Sequence, residues 1–540
     1  LPTCAGQFIR NPRIDSSRTQ RGWYHRGHCI LWVHTIGVRH YTWLHFEGNG
    51  ADASTLAFPA LGWYNRVSTI RERLMKKADR QPMRSHEGLV WWGVLLLGLL
   101  VFYWPLLSGQ KFIWFDFLNQ HIPRNAYIAE SLARGHLPQW DVTVYGGAPF
   151  LAEPENAVFY PFTWLLTLGV HDGRLAPNAL QHLVLIETLF AALCMVLVIR
   201  ELGGSRRAGV FAALAFCLST PFVCRMMNYG HFTVIACIPL VLYGLFRWAR
   251  MRTFGSVLLA GVCLGLAFLG GNPQYSYFLV IVCIVHCLCM ATGMLRSAAG
   301  VRATMLLILG YAAICLIGIL IAAVNILPTA EYAGIATRSI PAASGTPLKY
   351  FLTYIIPRFF GNVAGGPAPY WGEDGFWNYW EFSQYVGILP LVLAALSPFF
   401  LRGQRQYGFM LTLIVFAWVY AYGHENPLPR LLPFGASLRT PAKFLIFAAF
   451  SFSVIAGLTL DRFLTCVTPP RAARTILLGL VAVGVCVLMF GLIWEPHIVQ
   501  AMFADAQRSS QRTGVQLAGV LLAASSALLL LIPVLKNSLP

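Results

Sequence analysis

A chain of 540 residues that is 57% hydrophobic and only 11% charged, with mean hydropathy +0.59, lacks the charge that a soluble protein of this size needs to cover its surface. Its 40 Lys and Arg against 22 Asp and Glu give a formal net charge of +18. The arginines are spread through short loops between apolar runs with no dense basic patch, so the surplus points to orientation in a membrane and excludes nucleic acid as a partner.

Residues 1–85 stand apart from the rest. They are rich in Arg, His, Trp and Gly and carry no helical apolar period, so they are expected to be disordered or upstream sequence, with a small cytosolic module as the alternative. At Met75 the style changes to Met-Lys-Lys, further basic residues and an apolar helix, the way an inner-membrane protein starts. Residues 86–540 then form one transmembrane helical domain. Runs of about 20 apolar residues predict helices near 88–107, 178–199, 208–224, 232–249, 254–270, 274–292, 303–327, 384–401, 407–422, 444–460, 475–494 and 514–535, about 12 spans of an all-α bundle. The run 157–170 is shorter and holds Pro161, which reads as a re-entrant or interfacial piece.

Positive charge in the short loops sets the direction. With the N-terminus cytoplasmic, the inside loops hold Arg206 and Arg207; Arg247, Arg250 and Arg252; Arg296 and Arg302; Arg402 and Arg405; and Arg462, Arg471 and Arg474. The outside loops are then the long ones, about 108–177, 328–383, 423–443 and 495–513. Every inside loop is too short for a nucleotide-binding domain, and there is no P-loop and no GxGxxG after a strand, which argues against ATP- or nucleotide-sugar-driven chemistry inside. Most of the 13 cysteines, such as Cys194, Cys217, Cys237 and Cys263, lie inside apolar runs without metal-ligand spacing and read as packing residues.

Chemistry is expected on the outer face. In the first outer loop, Asp116 follows the first helix by about eight residues, flanked by Trp114, Phe115 and Phe117. A carboxylate desolvated among aromatics is suited to act as a base; the competing reading is a helix N-cap for 117–134. Glu153 and Glu155 flank Pro154 and offer a second carboxylate, or simple solvated loop charge. In the second loop, Glu373 and Asp374 sit among Tyr370, Trp371, Phe376, Trp377, Tyr379 and Trp380; aromatics beside acids suit sugars, and an interfacial aromatic belt is the alternative. In the third, Arg439 and Lys443 flank Pro441 just before a helix. They suit an anionic lipid headgroup, or else snorkel at the membrane edge. Inside the helices, Glu187 is the clearest ionisable residue, read either as part of a proton or substrate path or as the partner of an Arg in the bundle.

Taken in order, FDFLNQHIPRNAYIAESLARGHLPQWD, GGAPFLAEPENAVFYPF, NYGHFTVIACIPL, GGNPQYSYF, ILPTAEYAGIATRS, EFSQYVGILPLVLA and LRTPAKF resemble the YfhO-type bacterial membrane proteins of the GT-C glycosyltransferase superfamily, over roughly 90–535. The resemblance implies an all-helical enzyme of the bacterial inner membrane. Such an enzyme takes a sugar from a polyprenyl-phosphate carrier and passes it to a glycan, lipid or protein acceptor on the outer side. An acid in the first outer loop is a feature of that family, and Asp116 is the matching position. Phe-Asp-Phe holds a lone acid where some relatives have a pair, which leaves a divalent metal as an open question. The implied mechanism is a direct, inverting displacement. Asp116 takes the proton of the acceptor hydroxyl, and the leaving lipid phosphate is stabilised by Arg439 and Lys443. Glu153, Glu155, Trp371, Glu373, Asp374 and Trp377 shape the acceptor and sugar side. The alternatives are a flippase of lipid-linked glycans and a non-catalytic assembly partner that keeps the fold.

Overall fold

The computed structural model describes residues 20–25, 28–35, 38–40, 43–45, 85–144, 146–295, 300–335, 345–361, 370, 372, 379–422, 427–433, 438, 440–466, 468–493 and 505–538. The chain divides into two units, Leu1–Ser85 and His86–Pro540.

The first unit contains four short antiparallel strands, Gln20–His25 (β1), His28–Thr35 (β2), Val38–His40 (β3) and Trp43–His45 (β4), with β2 pairing with each of the others. The run Ile30–Trp32–Val33–Thr35 is rich in the β-branched and aromatic residues that favour extended backbone.

The second unit is an all-α polytopic membrane bundle. Its principal helices are Ser85–Leu107 (α1), Ile122–Ala133 (α2), Ala179–Glu201 (α3), Arg206–Cys217 (α4), Tyr229–Met251 (α5), Phe254–Leu269 (α6), Pro273–Leu295 (α7), Gly300–Ile335 (α8), Ile388–Phe400 (α9), Arg405–Ala421 (α10), Ile446–Thr465 (α11), Arg471–Ile493 (α12) and Asp505–Ser538 (α13). Among the described residues, eight helices are long and apolar enough to cross a membrane. The expected span at 208–224 is instead a pair, Arg206–Cys217 and Thr220–Met227, bent by 57°. Pro221 sits in the first turn after the break, where its ring and missing N–H forbid a continuous helix. Three shorter apolar helices, α6, α9 and most of α10, fill the remaining predicted positions. The run 157–170 does not span: it folds as a helical turn at Pro161–Trp164 and a 3₁₀ turn at Leu165–Gly169.

Lipid supplies little hydrophobic drive for helix association, so close contact relies on small residues. A Cβ added at Gly261 or Gly265 of α6 would lie 2.6 Å or 2.8 Å from Ile317 or Ile321 of α8, so these two glycines, one turn apart, open the groove that receives both isoleucines. At Gly484 of α12 and Gly519 of α13 an added Cβ would meet the partner helix's backbone at 2.6 Å and 2.5 Å.

The ends of the helices are tied down by polar groups. Ser205 caps α4, its Oγ accepting from the Ala208 N–H. The same serine donates from its N–H (3.0 Å) and its Oγ (2.6 Å) to the Asp461 carboxylate on α11, which also accepts from Arg207 Nε at 3.1 Å. Thr253 and Ser256 form a reciprocal capping box at the start of α6.

Candidate active site

Asp116 lies where the chain leaves α1. Gln181 of α3 fixes the approach: its Oε1 accepts from the Ile113 N–H at 3.0 Å, and its Nε2 donates to the carbonyls of Leu106 (2.7 Å) and Lys111 (3.1 Å). Phe115 then adopts φ 66°, a left-handed conformation costly for an aromatic residue, and Asp116 follows at the head of a π-helical turn, Phe117–His121. Asp116 makes no side-chain cap bond; its Oδ1 instead accepts from Gln120 Nε2 at 3.2 Å. The carboxylate therefore does not serve the capping role that the sequence also allowed.

The segment around Glu155 reaches the same end of the bundle. Glu155 Oε1 accepts from Asn272 Nδ2 at 2.8 Å and lies 3.5 Å from His231 Nε2. Two glycines make room for it. A Cβ at Gly230 would fall 2.9 Å from the Glu155 Cβ, and one at Gly271, itself at φ 93°, would overlap the Pro154 carbonyl oxygen at 1.8 Å. Ala157, two residues on, is left-handed at φ 50°. Glu155 is thus a held group and not a solvated loop charge. Asn272 is itself fixed, its Oδ1 accepting from the Tyr275 N–H at 3.0 Å.

Lys443 lies in the short turn that leads into α11. Thr440 is left-handed at φ 45°, Pro441 begins a short 3₁₀ turn, and Lys443 Nζ donates to Gln274 Oε1 at 3.3 Å. Its charge reaches both Glu155 and Glu381. Glu381 is buried in an ion pair with Arg225, whose Nη1 donates to Oε1 at 3.0 Å and whose Nη2 meets Oε2 in a second close contact. Beside this pair, the Trp380 and Phe115 rings pack with centroids 5.6 Å apart, joining the second outer loop to the first.

Burial is the main cause that raises the Asp116 pKa, and the Glu155 charge adds to it; the Gln120 hydrogen bond and Arg124 oppose the shift. For Glu155, burial also opposes the charged form, yet its partner His231, with His121 and Lys443, overrides this and holds the carboxyl at about 2. Burial pushes the His121 imidazole down to about 4. For Glu381, burial is again overridden, here by the Arg225 guanidinium, and its carboxyl stays below the usual range. The site therefore holds one carboxyl made more basic (Asp116) beside two kept ionised, an arrangement that separates a proton acceptor from fixed charges.

Of the residues expected from sequence, Asp116, Glu155 and Lys443 come together. Glu153 is two residues from Glu155, half-buried at the turn that carries it. Trp371, Glu373, Asp374, Trp377 and Arg439 lie outside the described residues. His121, Arg225, His231, Asn272, Gln274 and Glu381 were not singled out. His231 and Asn272 lie in the two short outer loops that carry the GHF and GGNPQ strings, where a polar side chain at the head of an apolar helix was the available signal. Glu187, in the middle of α3, is fully buried near the phenols of Tyr160 and Tyr229, and among the described residues no arginine pairs with it. Among the described residues no three His, Cys, Asp or Glu side chains group as a metal site.

No protein-family model and no curated protein matches the sequence. Among solved structures, the chain is similar to ArnT from Cupriavidus metallidurans bound to undecaprenyl phosphate, at 16% identity and TM-score 0.42 over 84% of this chain and 77% of that one. The apo state of the same protein gives 15% identity and TM-score 0.38 over 77% and 72%. The apo oligosaccharyltransferase of Archaeoglobus fulgidus gives 13% and 0.33 over 75% of this chain and 51% of that one. These neighbours are GT-C glycosyltransferases. These three TM-scores all lie under 0.5.

Proposed function

We propose that the chain is a GT-C-type membrane glycosyltransferase that moves a sugar from a polyprenyl-phosphate donor to a hydroxyl acceptor on the extracytoplasmic face. One observation carries the reading: five segments far apart in sequence converge at one end of the bundle to set an uncapped, partly desolvated Asp116 in the field of Glu155, which in turn meets the His231 imidazole, Asn272 and the charge of Lys443. Glu155, His231, Asn272 and Lys443 come from four of the segments on which the YfhO resemblance rests.

In the proposed reaction the acceptor oxygen attacks the anomeric carbon while the bond from that carbon to the carrier phosphate oxygen breaks. The acceptor proton passes to Asp116, whose raised pKa makes it a stronger base than an exposed carboxylate. The carrier leaves as a lipid phosphate, its charge met by Lys443 and by Arg439 four residues before it. Glu155 and Glu153 stand on the acceptor side, with Trp371, Glu373, Asp374 and Trp377 completing it. The N-terminus is cytoplasmic and the membrane is the bacterial inner membrane in this reading, which leaves the Arg-bearing short loops inside. A divalent ion is not required by the step as written.

Asp116→Asn tests it. The substitution keeps the shape and the contact with Gln120 and removes the base, so transfer from a polyprenyl-phosphate sugar should fall by about 100- to 10,000-fold with donor binding retained. Transfer near the wild-type rate in the Asn variant removes Asp116 from the chemistry. Translocation of the lipid-linked sugar without any transfer by the wild type moves the reading to a flippase.

A further inference from the structure

The opposite end of the bundle contains a second polar construction. A cavity of about 510 Å³ opens where the far ends of α3, α5 and α11 meet the beginning of α10. Its floor is apolar, with Phe246, Leu401, Met410 and Leu458 all buried. Its rim carries Glu201, Arg250 and Arg462.

The charges on that rim do not balance. The Glu201 carboxylate is nearly buried and accepts from Arg250 Nε at 2.5 Å and from Arg247 Nη1 at 3.3 Å, so one carboxylate answers two guanidiniums. Arg462 is exposed, and among the described residues its side chain has no hydrogen bond or ion pair. The neighbouring acid, Asp461, is committed to Ser205 and Arg207. The cavity is therefore lined by two guanidiniums, Arg250 and Arg462, and one carboxylate, Glu201, which is already shared with Arg247 outside the lining.

We propose that this cavity binds an anionic glycerophospholipid, with an acyl chain along the apolar floor and the phosphate on Arg462 and Arg250. The surplus charge selects an anion, and Arg presents a planar fork suited to phosphate oxygens. The floor selects a lipid over a soluble anion. A free phosphate leaves the apolar floor uncovered, whereas the acyl chain of a lipid fills it with a surface of the same polarity. The walls belong to α3, α5 and α11, three of the helices long enough to span a bilayer, so the hollow lies where acyl chains are available. This site is separate from the Asp116 cluster and does not depend on the transferase reading.

The test uses the full chain in phosphatidylcholine nanodiscs doped with phosphatidylglycerol, with retained lipid counted by native mass spectrometry. The wild type should retain phosphatidylglycerol over phosphatidylcholine. Arg462→Gln should weaken that preference about fivefold, the worth of one cation near a lipid phosphate. Arg462→Lys should retain most of it, and Leu458→Trp, which fills the floor, should lower retention of both lipids. Arg134→Gln, an exposed cation outside the cavity, serves as the control and should change nothing. The proposal is overturned if Arg462→Gln and Leu458→Trp retain phosphatidylglycerol like the wild type. It is also overturned if the wild type shows no preference, or if inorganic phosphate displaces the lipid, which would mark an ion site only.

Discussion

The two ends of the bundle use charge in opposite ways. At the end away from Asp116, charges lie at helix termini and the guanidiniums stay partly exposed: Arg250 and Arg207 reach out from the helices to Glu201 and Asp461. At the Asp116 end, the Arg225–Glu381 pair is drawn under the surface with both partners buried. Arg225 meets Glu381 across 156 residues, and Glu155 meets Asn272 across 117. Three residues without glycine's freedom, Phe115, Ala157 and Thr440, take left-handed backbone within three residues of Asp116, Glu155 and Lys443. Strain of this kind costs of order 1–3 kcal/mol at each position and persists only where surrounding contacts fix it. The far end has such a residue too, Arg252 at φ 52°, so the contrast lies in three strained positions against one beside the named charges.

Four perturbations break or sharpen that contrast, the largest first. Glu381→Gln leaves the Arg225 guanidinium buried without its counter-charge, and the loss should be about 3–5 kcal/mol of stability in a detergent or urea unfolding titration. A cost under ~1 kcal/mol would show that this end is as loosely held as the other. Glycine pairs come next. Ala at Gly203, near the far end, meets only its own φ of 83°, because an added Cβ there has nothing within 4 Å. The cost should be about 1–2 kcal/mol. Gly271→Ala adds the clash with the Pro154 carbonyl, so it should cost more and also reduce transfer by displacing Glu155. Equal effects of the two on stability and activity would remove the packing argument.

A subtler test concerns pH. Asp116 must be ionised to accept a proton, and burial together with Glu155 raises its pKa, so the acid limb of the rate profile should sit above the ordinary carboxylate range near 3.8. Glu155→Gln keeps an acceptor for Asn272 and deletes the repelling charge, which lowers the Asp116 pKa and should move the acid limb to lower pH. A limb that stays in place would mean the two carboxylates do not communicate. The smallest effect is expected at Asp461→Asn. Its partner Arg207 is one-third exposed, and such pairs contribute about 0–1 kcal/mol. A loss several times larger would erase the difference between the two ends.

The sequence carries the bundle well because lipid-spanning length is written locally: an apolar run of about 20 residues is a helix wherever it occurs. The bend at Pro221 escaped that reading, because a proline near the end of an apolar run looks like a boundary. Asp116 and Lys443 were legible from their places beside helix ends. The polar frame around them was not. Arg225 looked like an edge charge of a short loop, and Glu381 was lost among Tyr379, Trp380 and Phe382. Nothing local announces that these two residues meet, because pairing over such separations is decided by how the helices pack.

The Arg225–Glu381 separation also bears on how the protein is made. Its cation belongs to the bent pair between α4 and α5, while its counter-charge precedes α9. At about 5–20 residues per second, a ribosome adds those 156 residues in roughly 8–30 s. For that interval the early helices stand in the membrane with a guanidinium whose final partner has not yet been synthesised. The half-made bundle must therefore keep Arg225 near water or in the shelter of the insertion machinery, and the first half of the chain cannot reach its finished form before the second arrives.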